Sequence, residues 1–200
     1  MFELSSTVVY PGYGVAKLSR EVRKNIGEAE FFFYELNFIN KDVKVLVPKV
    51  NFELVGVRLL SDHSVIQELF LFFLEDYKKN WFQEISLISW NRRSKDYQNK
   101  IRIGNIRDIA SVYKDLKYIE KIKALSFGEK SLLLQVENLL CEEIAEIYKK
   151  HFAEVVRFMS SFMENCFSDQ EKNKYKSAFS LSQEDFDFNS FFDKEYLLIS

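Results

Sequence analysis

Glycine and proline, the residues that most restrict regular structure, are confined almost entirely to one end of this chain. Gly12, Gly14, Gly27, Gly56, Pro11 and Pro48 all fall within the first 56 residues, and only Gly104 and Gly128 lie beyond. Turn formers gather where strands reverse, while helix interiors exclude both residues. The front therefore reads as small β structure and the rest as helix. At 200 residues the chain has room for one large domain or two small ones, and burial of about two-thirds of its unfolded surface gives it a core without staples. A hydrophobic fraction of 47% with 29% charged residues excludes a disordered chain or a fibre.

Within the front, residues 7–10, 15–22, 31–39 and 43–47 are rich in β-branched and aromatic side chains. Val43, Val45 and Val47 alternate with Lys44 and Leu46, which puts the valines on one face. Gly27-Glu28 and Asn40-Lys41-Asp42 are the expected hairpin turns. Four or five short strands in so little chain predict a small SH3- or Tudor-like barrel, and the fold class is α+β.

From Ser61 the period changes from two to between three and four. Val65, Leu69, Phe72 and Phe73 mark a helix that Ser61 or Asp62 caps, and residues 89–102 form a second, ended by Gly104. Ile106, Ile109, Tyr113 and Leu116 mark a third. Ser126-Phe127-Gly128-Glu129 has the S-x-x-E form of a capping box. After it, apolar residues from Leu133 to Phe162 recur at helical spacing and predict one helix of about ten turns. The expected organisation is a β module over residues 1–60, a helical domain over 61–165 and an extension over 166–200. In that extension Phe179, Phe186, Phe188, Phe191, Phe192 and Tyr196 alternate with acidic residues, which leaves open a short docking segment or a disordered tail.

The longest apolar run, residues 69–74, is far short of the roughly 20 residues of a membrane span. The opening MFELSSTVVYP lacks the basic and apolar regions of a secretory signal, so the expectation is a cytoplasmic chain that does not engage a membrane. Cys141 and Cys166 form no CxxC, and His63 and His151 have no neighbours at zinc spacing. Reduced thiols and no metal or other cofactor are expected. No enzyme motif emerges either. Pro11-Gly12-Tyr13-Gly14 lacks the phosphate-loop pattern and reads as a turn between strands. Two histidines leave little for acid–base chemistry, His63 near a helix start and His151 within a helix, and Glu142-Glu143 read as a solvated helical face. The chain is expected not to be an enzyme and to have no small-molecule substrate.

Charge points elsewhere. Residues 78–130 hold 13 basic and 6 acidic side chains, while residues 1–77 hold 8 basic and 11 acidic. Such a local excess in a helical stretch is the footprint of phosphate contact, against the plainer reading of a solvated face. Trp81, Trp90 and Tyr97 lie among Lys78, Lys79, Arg92, Arg93, Lys95, Lys100 and Arg102. Cations neutralise phosphates and flat side chains stack on bases or wedge between them. By spacing alone, Trp90, Ser94, Tyr97 and Ile101 on one helical face favour a core tryptophan, whereas Ser89 as N-cap places Trp90 in the first turn, where a side chain can point away from the bundle.

These residues resemble a known family. Residues 8–15 (VVYPGYGV), 45–48 (VLVP) and 56–58 (GVR) are similar to the front of the CarD/CdnL bacterial transcription regulators, a module shared with the transcription-repair coupling factor. Residues 90–93 (WNRR), Lys95, Gly104, the stretch 109–116, Leu125-Ser126 and Glu129-Lys130 resemble the family's helical DNA-binding domain, which the coupling factor lacks. The resemblance implies a Tudor-like front that binds the RNA polymerase β subunit. It also implies a helical domain on promoter DNA, at the upstream edge of the bubble, that stabilises the open complex. By matching position, Trp90 takes the wedge role and Arg92, Arg93, Lys95 and Lys130 the phosphate roles. Lys24 and the strand Lys44, Val45, Leu46, Val47 and Pro48 face the polymerase. Tyr13 stands where the family usually has histidine, Leu46 where well-known members are basic, and some 50 residues continue past the family's usual end. The alternative reading is an adaptor that docks RNA polymerase without contacting DNA.

Overall fold

The computed structural model describes residues 2–166, 173, 175–177, 179 and 187–199. Five strands come first: β1 (Thr7–Tyr10), β2 (Gly14–Ile26), β3 (Ala29–Phe38), β4 (Lys44–Pro48) and β5 (Arg58–Leu59). Helices follow as α1 (His63–Phe73), α2 (Trp81–Ser86), α3 (Trp90–Ile103), α4 (Ile106–Ile122), α5 (Phe127–Tyr148), α6 (Phe152–Asn165) and α7 (Phe188–Ile199). The α+β class and the turns at Gly27 and residues 40–42 are as the sequence predicts. The short helix α2 was not foreseen.

The strands form an antiparallel sheet in the order β4-β3-β2-β1-β5. It stays open rather than closing as a barrel, with β4 and β5 at opposite edges and unpaired with each other among the described residues. β5 is only two residues long and the chain turns into α1 soon after it, so it is too short to reach round to β4. The sheet packs its own core from Val8, Ala16, Leu18, Tyr34, Leu36, Phe38, Val47, Phe52 and Val57. A larger core runs from α1 through α7.

The single long helix expected from the apolar period is two helices. Lys149 adopts a left-handed backbone with φ of 54°, its N–H donates to the Ala145 carbonyl, and His151 becomes the N-cap of α6. The spacing survives across the break because the two helices bury the same kind of stripe, Ile144 and Tyr148 on one and Val155 and Phe162 on the other. Cys141 and Cys166 are both buried, and among the described residues neither forms a disulfide.

The described part of the extension is neither a loose tail nor a free docking segment. Tyr175, Phe179, Phe188 and Phe192 are buried in the helical core. Phe179 stacks on Phe70 with centroids 4.9 Å apart, and Phe192 lies 4.8 Å from Phe158. Phe186 lies outside the described residues.

A buried polar seam joins the sheet to α5 and corrects the reading of Glu142 and Glu143 as a solvated face. Both are buried. Glu143 accepts a two-pronged pair from Arg58 of β5, with Nη1 and Nη2 at 2.6 and 2.7 Å, and further bonds from the Ser61 N–H at 2.9 Å and hydroxyl at 2.7 Å. Glu142 accepts from the Val15 N–H at 3.2 Å and lies 3.4 Å from the Lys41 ammonium. The Pro11–Gly14 turn sits against this seam. Gly14 has φ of 106°, and a Cβ there would fall 2.0 Å from the Glu142 carboxylate. Gly104 ends α3 in the left-handed region, and its Cβ would meet Pro11 at 2.7 Å. Both sites need glycine for backbone shape and for closeness.

Candidate nucleic-acid interface

Helix α3 is polar overall, and it buries one line of side chains: Arg93, Tyr97 and Ile101, spaced four apart. Ser89 is its N-cap, with its carbonyl accepting from Arg92 and Arg93. Trp90 therefore occupies the first turn. It is half-buried and packed against the edge of the helical core, between the two positions that sequence reasoning offered for it.

Helix α5 starts beside it. Ser126 and Glu129 form the expected capping box, with Ser126 N–H to Glu129 at 2.8 Å and Glu129 N–H to the Ser126 hydroxyl at 3.3 Å. Glu129 also receives the Arg93 guanidinium in an ion pair, and the Lys123 ammonium at 3.2 Å. One carboxylate thus caps its own helix and ties α3 to α5. Burial works to raise the Glu129 carboxyl, but its hydrogen bonds with Ser126 and Lys123 together hold it below the ordinary glutamate value. The clamp brings Gly128 under the Trp90 ring, where a Cβ would lie 3.1 Å from the indole. The Arg93 guanidinium sits 5.4 Å from the same ring.

These contacts sort the sequence-predicted DNA residues into two groups. Arg92, Lys95 and Lys130 are exposed, and among the described residues they make no ion pair. Lys78 and Lys79 share that condition. Arg93, expected on phosphate, is instead buried: it is 9% exposed, is paired with Glu129 and also donates to the Ile85 carbonyl at 3.5 Å. Its place on the apolar face, four before Tyr97, is the signal that could have shown this. Lys114, counted in the basic block, is likewise buried and donates to the carbonyls of Phe72 and Glu75.

The interleaved aromatics separate in the same way. Tyr97 is buried and its hydroxyl donates to Asp115 at 3.1 Å, while Tyr77 donates to the same carboxylate at 2.6 Å. Burial raises the Asp115 carboxyl above its ordinary value even with both donors present. Trp81 packs on Tyr77 and Tyr118. The Tyr97 bond fastens α3 to α4 and the Tyr77 bond ties the link between α1 and α2 to the same carboxylate, which leaves Trp90 as the half-buried aromatic of α3.

The residues expected to face polymerase lie on the sheet. Among the described residues β4 is an edge strand, paired on one side only, with Leu36 opposite Val45 and Tyr34 opposite Val47. Lys44 is exposed, Val45, Leu46 and Pro48 are half-buried, and Val47 is buried in the sheet core. Lys24 is exposed and pairs with Phe31, beyond the last β3 residue that β4 reaches. It thus belongs to the projecting β2–β3 hairpin rather than to the β4 edge.

Two comparisons bear on this arrangement. Residues 80–160, which run from just before α2 into α6, match the family model of the CarD C-terminal domain. The chain is also 24% identical over 147 residues to "Putative transcription factor YdeB" of Bacillus subtilis (strain 168), covering 74% of this chain and 92% of the relative. No helix among the described residues is long and apolar enough to cross a membrane.

Proposed function

We propose that this CarD/CdnL-like chain is a non-enzymatic transcription regulator that bridges RNA polymerase and promoter DNA and stabilises the open complex. In this reading residues 1–60 form a Tudor-like module for the polymerase β subunit. Residues 61–165 place the α3–α5 corner at the upstream edge of the melted bubble. The observation that carries the DNA half is the corner itself: three exposed cations, Arg92, Lys95 and Lys130, free of ion pairs among the described residues, beside a half-exposed Trp90. The match of residues 80–160 to the CarD C-terminal domain supports it.

The physical case needs neither contact to be tight. Cations bind phosphates without sequence choice. A second contact on the same ternary complex gains from effective concentration. An indole inserted at a base step costs a few kcal/mol of unstacking, least where the duplex is already opening. A ligand that binds melted DNA better than closed DNA shifts the equilibrium by that difference. On the polymerase side, the unpaired edge of β4 offers backbone groups for strand addition, with Leu46 and Lys44 beside it and Lys24 on the neighbouring hairpin.

The test is open-complex lifetime with purified polymerase. The full chain lengthens it, and Trp90→Ala shortens it again while polymerase capture is unchanged. Leu46→Glu loses capture. Capture by polymerase with no effect on lifetime and no DNA binding would establish the adaptor instead.

A further inference from the structure

The segment that opens α5 accounts for all but one of its side chains. Ser126 caps the helix, Gly128 lies under Trp90 and Glu129 holds Arg93. Lys130 is an exposed cation. Phe127, between the cap and the glycine, is 90% exposed. A phenylalanine in water forgoes the burial that most described aromatics of this chain obtain; Phe31, Phe32 and Tyr13 are 42%, 46% and 57% exposed, well below Phe127. Leu87, in the link from α2 to α3, is 88% exposed, and Ile88 beside it is 42% exposed.

We infer that Phe127 is a second base-contacting side chain, set beside Trp90 and able to stack on an unpaired base at the bubble edge. The inference rests on the reading above and adds a residue to it. Charge chooses the partner. Arg92, Lys95 and Lys130 carry free positive charge at this corner, while the carboxylate of Glu129 is consumed by Arg93 and Lys123. A partner both anionic and rich in flat apolar surface is nucleic acid with opened bases. Position supports the same choice. Trp90 is seated on Gly128 and Arg93 and must give up those contacts to enter a base step, whereas Phe127 already stands in solvent one residue away. The corner offers an exposed ring for a base that has left the stack and a seated ring for the duplex end.

The experiment compares the full chain with Phe127→Ala, Phe127→Tyr and Lys130→Ala on a forked promoter duplex and on the same duplex closed. Phe127→Ala is expected to weaken forked-DNA binding about tenfold, the loss of one aromatic–base stack, with little change on closed DNA. Its melting temperature, polymerase capture and salt dependence stay at the wild-type values, and Phe127→Tyr restores affinity. Lys130→Ala weakens both DNAs and lowers the salt slope by about one. If Lys130→Ala weakens binding and Phe127→Ala does not, the assignment of Phe127 is overturned and the proposed function stands. If both bind forked DNA as the wild type does, the DNA reading fails with it. Loss of polymerase capture by Phe127→Ala would overturn the assignment by making this ring a protein contact.

Discussion

Replacing Glu143 with alanine tests whether the seam between sheet and helices holds the molecule in one arrangement. The Glu143 side chain is 2% exposed and accepts four hydrogen bonds from Arg58 and Ser61, none longer than 2.9 Å. Removing one partner of a buried ion pair costs about 3–5 kcal/mol, because the other is left uncompensated. Arg58 is 27% exposed and regains some hydration, so the expected loss is at the lower end, about 3 kcal/mol. In a chain of this size that lowers the melting temperature by roughly 6–12 °C. Urea unfolding followed by tryptophan emission and by far-ultraviolet dichroism measures it. Trp81 and Trp90, the two tryptophans, both lie in the helical half, so a sheet that comes loose separates the two signals. Glu146→Ala, which removes a surface pair with Lys149, is the control and is expected to cost under about 1 kcal/mol. A Glu143→Ala loss below about 1 kcal/mol, with coincident transitions, would refute the seam as a structural joint.

Three further outcomes follow from the same contacts. Gly128→Ala places a methyl group 3.1 Å from the Trp90 ring, so the indole must shift; tryptophan emission is expected to move and open-complex lifetime to fall, while the roughly 1 kcal/mol gain in helix propensity holds the melting temperature near wild type. Truncation after Cys166 removes Phe179, Phe188 and Phe192 from the core, each worth about 1.5–3 kcal/mol of burial, and is expected to produce strong binding of a hydrophobic dye and a lowered urea midpoint. The Glu129 carboxyl is held below its unfolded value, so its contribution to stability is present above the range where an unfolded glutamate titrates and is lost as pH falls through the depressed folded value. Glu129→Gln is expected to flatten that part of the stability–pH curve.

Local signals were legible where they were strong and unopposed. The capping box at Ser126, the left-handed stop at Gly104 and the turn at Gly27 each rest on a residue whose local chemistry admits few alternatives, and each appears where the sequence places it. The break between α5 and α6 was hidden because a lysine takes the left-handed cap, and because apolar spacing continues on both sides. The barrel failed for a reason of length: strand count and composition do not reveal that β5 stops after two residues. The seam was invisible because Arg58 and Glu143 are far apart in the chain, and adjacent glutamates on a helix ordinarily face solvent. At the candidate interface, types were legible and roles were not. Arg92 and Arg93 look alike in sequence, yet a helix sends one to solvent and the other under Trp90.

The salt dependence of forked-DNA binding by the full chain tests the central claim most directly. Each phosphate neutralised on duplex DNA contributes about −0.9 to the slope of log affinity against log salt. With Arg92, Lys95 and Lys130 engaged, the slope is expected to lie between about −2 and −3, and alanine at all three positions is expected to bring it close to zero with the melting temperature retained. A wild-type slope near zero, or one that the triple substitution leaves unchanged, would contradict the account.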